Sequence, residues 1–140
     1  MNNWLIFAIG SAFFAGVTAI LGKVGVKDIN SNLATFVRTI VILIVSALIV
    51  TMRSEWERVD KLHSRTLIFL IFSGIATGLS WLCYYKALQL GPVSKVAPID
   101  KLSVVFAIIL SFVFLGESLT WQVLTGGVLI VTGSLVIAFA

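Results

Sequence analysis

The chain has 140 residues, 59% of them hydrophobic and 11% charged, with a mean hydropathy of +1.11. That is more apolar surface than one soluble core of this size can hide, so the composition excludes a soluble domain and points to an all-α membrane protein. Ten basic residues against six acidic give a formal net charge of +4, which suits anionic headgroups as readily as an anionic solute, while no basic run interleaved with polar and aromatic residues offers a surface for nucleic acid.

Five stretches reach the roughly 20 apolar residues that a bilayer core requires. They run from Trp4 to about Leu21, Leu33 to about Met52, Thr66 to about Leu88, Val93 to about Leu115, and Trp121 to Ala140. The first lacks the basic flank of a secretory signal and exceeds its usual apolar length, so it is expected to remain as a membrane helix. An odd number of spans puts the two termini on opposite sides. In the first span Ala8, Ala12 and Gly16 recur at four-residue spacing, and Gly74 and Gly78 repeat the device in the third. Such small-residue stripes are expected helix-packing faces, and Gly126, Gly127 and Gly133 in the fifth span invite the same reading.

The link from Gly22 to Asn32 carries ordinary turn chemistry. Arg38, by contrast, lies inside the second span, roughly 8 Å from its start at ~1.5 Å per residue. It either snorkels back to the headgroups or faces an aqueous cavity. The long hydrophilic link, Arg53 to Arg65, has mixed charges with Glu57 and Lys61 at i,i+4 spacing, as in a solvated loop or short surface helix with Trp56 at the interface. Cys83 is alone and forms no intrachain disulfide; His63 is alone too, and no ligand spacing accompanies either. No metal site or cofactor is expected, and no nucleophile–base pair or phosphate loop suggests an enzyme.

The stretch Trp81–Ser103 concentrates the remaining chemistry. Asp100 is the only acid within the spans, and lies about 10 Å along the fourth at ~1.5 Å per residue. A charge at that depth needs a partner or water. Arg38 or Lys86 is the expected partner, because Lys101, next in sequence, points about 100° away on a helix. The pair is either a permanent fixture of the helices or one vestibule of a solute or proton pathway. Pro98 supplies no N–H and crowds the carbonyl of Ser94, so it predicts either a kink with a freed carbonyl, of the kind transporters use to bind solute, or an irregular start to the span. Tyr84 and Tyr85 fit an interfacial belt, whereas Trp81 is deeper and can present its π face to an aromatic or cationic solute.

The order Trp81, Tyr84-Tyr85, Ala87-Leu88, Gly91-Pro92, Ser94, Ala97-Pro98, Leu102-Ser103, then Phe114-Leu115-Gly116-Glu117 and a glycine-rich last span, resembles an EamA-type member of the drug/metabolite transporter superfamily. Trp4, Gly10, Lys23, Gly25 and Arg38 fit its weaker opening pattern. The resemblance implies a single EamA-like domain over residues 1–140, a five-helix repeat that most relatives carry twice, inverted about a pseudo-twofold axis around a cavity. It implies a secondary transporter of a small metabolite, amino acid or organic cation in a bacterial inner membrane, with Arg38, Trp81, Tyr84, Tyr85, Lys86, Ser94, Pro98, Asp100 and Lys101 along the pathway. A flippase subunit for a lipid-linked substrate and a non-transporting assembly subunit are the alternatives. With one repeat in this sequence, an antiparallel homodimer or a heterodimer with a second single-repeat chain is expected. Arg53, Arg58, Lys61 and Arg65 on one side balance Lys23, Lys27, Lys86 and Lys95 on the other, leaving almost no positive-inside bias. Glu117 lies at the far end of the fourth span, where a surface cap is expected, and the first span has no acid to support the carboxylate coupling of the small multidrug exporters.

Overall fold

A computed structural model describes residues 3–57 and 63–140. Arg58 and Lys61, and with them the expected Glu57–Lys61 pairing, lie outside the described residues. The elements are α1 (Asn3–Gly25), α2 (Ser31–Met52), α3 (Ser64–Leu90), α4 (Val93–Asp100), α5 (Ser103–Leu110) continued by one π-helical turn (Ser111–Leu115), and α6 (Trp121–Phe139). No strand occurs among the described residues. Five segments are long and apolar enough to cross a membrane, the fourth being α4, α5 and the π turn together. The side chains agree with that reading: large apolar residues such as Phe7, Phe14, Leu43, Phe72 and Val136 are exposed along the helices, a surface that lipid accepts and water does not. The protein is an integral membrane protein.

Local chemistry sets the helix ends. Asn30 caps α2 by accepting from the Asn32 N–H at 2.8 Å, and Thr120 caps α6 by accepting from the Val123 N–H. After the π turn, Gly116 takes φ 68°, which a residue with a Cβ adopts at a cost. Threonines inside the spans turn their hydroxyls back on their own helix: Thr35 donates to the Ser31 carbonyl, Thr39 to Thr35, Thr77 to Ser73 and Thr132 to Val128. In hydrocarbon this removes a polar group that water cannot reach.

The chain forms two compact units, Gly22–Gln89 and Leu90–Ala140 with the chain up to Leu21. In the second, α4 and α5 pack on α6. The fourth span runs over Val93–Leu115 as expected, with an interruption inside it. Pro98 remains inside α4, and the interruption falls after it, at Lys101–Leu102, where the Lys101 and Leu102 N–H groups reach back three residues to Pro98 and Ile99 at 3.1 and 3.0 Å. The polar partner of the break comes from α6: the buried Ser134 hydroxyl donates to the Pro98 carbonyl at 2.8 Å. Within their own units, a Cβ at Gly16, Gly74 or Gly78 would meet no described atom within 4 Å. Close approach occurs instead at Gly22, where a Cβ would meet the Tyr85 hydroxyl at 3.3 Å and Leu88 at 3.4 Å, and at Gly127, where it would meet Ile108 at 3.8 Å.

Replacing Ser134 by Ala leaves the Pro98 carbonyl without its side-chain donor in a site water does not enter. A loss of about 1 kcal/mol in stability is expected, read as a lower midpoint of thermal unfolding in detergent, with Ser134→Thr retaining more of it than Ser134→Ala.

Candidate functional site

Helical spacing of Trp81, Tyr85 and Leu88 puts these three side chains on one face of α3. Tyr85 and Leu88 are buried, and Trp81 is half-buried. Arg38 projects from α2 onto that face. Its guanidinium carbon lies 3.9 Å from the centroid of the Trp81 ring and 5.4 Å from that of Tyr85. A cation over an aromatic face gains ~0.5–1 kcal/mol when exposed and ~2 or more when desolvated. The π face expected to meet a cationic solute is therefore taken by a cation of the chain itself.

Below this platform two side chains tie helix ends together. The last carbonyls of a helix have no partner in the helix, and Lys23 supplies one for α3 by donating to the Leu88 carbonyl at 2.6 Å. In return Gln89 donates to the Val26 and Ile29 carbonyls at 3.3 and 3.0 Å, in the turn after α1. Lys86 donates to the Gln89 side-chain oxygen at 3.1 Å. Gly22 leaves room for Tyr85 in this corner, and Val26 is fully buried there. Tyr84 stands edge-on to Tyr85 with ring centroids 6.4 Å apart.

The remaining expected residues belong to the other unit. Ser94 is exposed in the first turn of α4, and Pro98 is half-buried with its carbonyl on Ser134. Asp100 forms its ion pair with Lys101, at 3.4 Å, the side chains being 35% and 54% exposed respectively. The expected partners Arg38 and Lys86 lie in the unit Gly22–Gln89, and the partner seen is the sequence neighbour. The 100° separation holds only for a continuing helix, and α4 ends at Asp100, so the long lysine stem can fold back. Arg38, Trp81, Tyr84, Tyr85 and Lys86 are thus brought together within one unit, and Pro98, Asp100 and Lys101 sit at the helix break of the other. Lys23, Gln89 and Ser134 were not anticipated as site residues. Gln89 follows Trp81 and Tyr85 by eight and four positions, a helical signal present in the sequence. Ser134 has none, because its partner lies 36 positions away.

The sequence model described as the EamA-like transporter family matches residues 2–139. A protein of a Sinorhizobium species named as an uncharacterized transporter in the cobO 3' region is 46% identical over 137 residues, 98% of this chain and 97% of that one. Human solute carrier family 35 member G1 is 32% identical over 132 residues, covering 91% of this chain and 34% of its own length. An uncharacterized protein of Methanocaldococcus jannaschii is 26% identical over 140 residues, 100% of this chain and 99% of that one. No solved structure matches.

Gln89→Ala removes both ties to the turn after α1. Hydrogen exchange is expected to quicken at the amides of Lys27–Asn30 while those in the middle of α2 keep their protection; equal protection in both proteins would show that the ties do not hold the turn.

Proposed function

The chain belongs to the EamA-like transporter family, and from that premise we propose that it is a secondary transporter, moving a small solute across a bacterial cytoplasmic membrane by alternating access. The observation that carries the reading is a charged side chain, Arg38, held on aromatic rings within a membrane span, a placement that marks a solute or ion pathway more often than a structural fixture. Trp81, Tyr84 and Tyr85 form the wall of that pathway beside Arg38 and Lys86. At the helix break, Asp100 is the ionic switch. Its pair with Lys101 is half in the open, and an exposed pair contributes only ~0–1 kcal/mol, so a proton or solute displaces it without great cost. Ser94 and Pro98 give the broken-helix contact of this pathway, a common form of binding site in transporters.

Two of the relatives have the length of one five-helix repeat, whereas the match to the human carrier covers about a third of that protein. We infer that the repeat works in pairs, as an antiparallel homodimer or with a second single-repeat chain, with Ala8, Ala12, Gly16, Gly74 and Gly78 as the faces toward that partner, all but Gly78 being exposed. A lipid-linked substrate is the second reading. It is favoured by an apolar groove of about 290 Å³ on α5 and α6, lined by Ile108, Leu119, Val123, Gly127 and Val131 among others, which fits an acyl chain.

Reconstituted into liposomes, the native chain is expected to move labelled solute. Asp100→Asn should lower the flux at least about tenfold, equivalent to ~1.4 kcal/mol in the barrier, with expression and oligomeric state unchanged. Full flux in Asp100→Asn would remove Asp100 from the mechanism, and movement of labelled lipid alone would select the second reading. Tags on both termini are expected to be accessible in part from each side of intact cells; one uniform orientation rules out the antiparallel homodimer.

A further inference from the structure

We propose that Arg38, laid flat on Trp81, is the docking group for an oxyanion, a carboxylate or phosphate carried by a solute or by a lipid headgroup. The inference deepens the transport reading and rests on it for the word solute, and it removes organic cations from the solutes expected.

The first step is the balance of charge. Arg38 is seven residues past Ser31, the start of α2, roughly 10 Å along the helix at ~1.5 Å per residue. A guanidinium at that depth calls for a counter-charge or water. Within the unit Gly22–Gln89 no described carboxylate lies within ion-pair distance of it, the ion pair there being Arg53–Glu55. Within the unit Gly22–Gln89, the end that holds Arg38 carries Lys23, Lys27 and Lys86 with Asp28 as the one described acid, and Asp28 is exposed in the turn before α2. Glu55 and Glu57 follow the other end of α2.

The second step is geometry. With its carbon 3.9 Å over the Trp81 centroid, the guanidinium meets the ring by its charge and not by a hydrogen bond, which leaves it an N–H edge to offer. That edge is the fork that matches the two oxygens of a carboxylate or phosphate. Among the described residues no acceptor takes a hydrogen bond from Arg38. The neighbouring cations are already engaged, Lys23 with the Leu88 carbonyl and Lys86 with Gln89. Arg38 and Lys27 remain, and of the two Arg38 is the one inside a membrane span, Lys27 being exposed in the turn after α1.

The third step is rigidity. Trp81 and Tyr85 stand on one helix face, and Tyr85 is only 5% exposed, in van der Waals reach of Gly22. The platform therefore fixes the fork before any ligand arrives, which lowers the ordering cost of binding. A lysine in place of Arg38 would keep the charge but lose the planar stack and the paired donors. A cationic solute finds the aromatic face covered and the surroundings positive.

Full-length protein with Trp4, Trp56 and Trp121 replaced by Phe reports on Trp81 alone. In phosphatidylcholine nanodiscs, succinate or inorganic phosphate is expected to change Trp81 emission saturably, with no response to choline. Arg38→Gln should abolish the change, and Arg38→Lys should weaken binding about tenfold or more. In phosphatidylglycerol nanodiscs, a Trp81 signal that depends on Arg38 and is already saturated without solute upholds the site and assigns the oxyanion to a headgroup. The proposal is overturned if no anion or anionic lipid changes the emission, if choline changes it equally, or if Arg38→Gln responds like the native residue. Should Arg38→Gln fail to fold, the native chain decides: modification of Arg38 by phenylglyoxal, followed by mass spectrometry, is slowed by phosphate or succinate and not by choline, and an unchanged rate sinks the proposal. Because binding is read without flux, a chain that binds phosphate but carries nothing refutes the transport reading alone.

Discussion

A polar group inside hydrocarbon has no water to turn to, so every donor, acceptor and charge in the five spans must be met by the chain, by lipid or by a ligand. The helices meet this condition with local means: Thr35, Thr39, Thr77 and Thr132 bond back to their own helix. Where a helix stops, the partner comes from elsewhere in the same unit. Lys23 answers the end of α3, and Ser134 answers the break that follows Pro98. Arg38 is the charge inside the spans of the unit Gly22–Gln89 that is met by aromatic rings rather than by a carboxylate, and such an arginine is costly to hold within a span.

The same condition explains what was legible in the sequence. Membrane spans are a property of composition over some twenty residues, so starts expected at Trp4, Leu33 and Thr66 fall within two residues of the observed Asn3, Ser31 and Ser64. The helix break was visible as Pro98, but its position was not. It lies at Lys101–Leu102 because the group that stabilises the region, the Ser134 hydroxyl, is carried by α6, and no local pattern records a contact 36 positions away. The aromatic face of α3 was readable from the spacing of Trp81, Tyr85 and Leu88. Its occupant was not, since reasoning by opposite charge directs Arg38 to a carboxylate, whereas the structure places it over a neutral ring.

Asp100 shows the complementary case. In a continuous helix its neighbour Lys101 faces another direction, and a carboxylate ten ångströms into a span would require a partner from another helix. Ending α4 at Asp100 changes both terms: the backbone loosens enough for Lys101 to return, and the side chain is left 35% exposed rather than enclosed. A pair between two sequence neighbours ties no two helices together.

The glycines make a related point about which contacts a single repeat can supply. Gly22 and Gly127 are approached by side chains of their own units, and there the absence of a Cβ has a use within the chain. Gly16, Gly74 and Gly78 are approached by no described atom of their own units, and a glycine in an exposed helix face lowers helix stability by ~1 kcal/mol relative to alanine. Lipid gains nothing from a missing methyl group, whereas a second helix gains close backbone contact. Three such residues on otherwise bulky apolar helices therefore make more physical sense opposite another polypeptide than opposite acyl chains, and this favours a paired repeat over a solitary one.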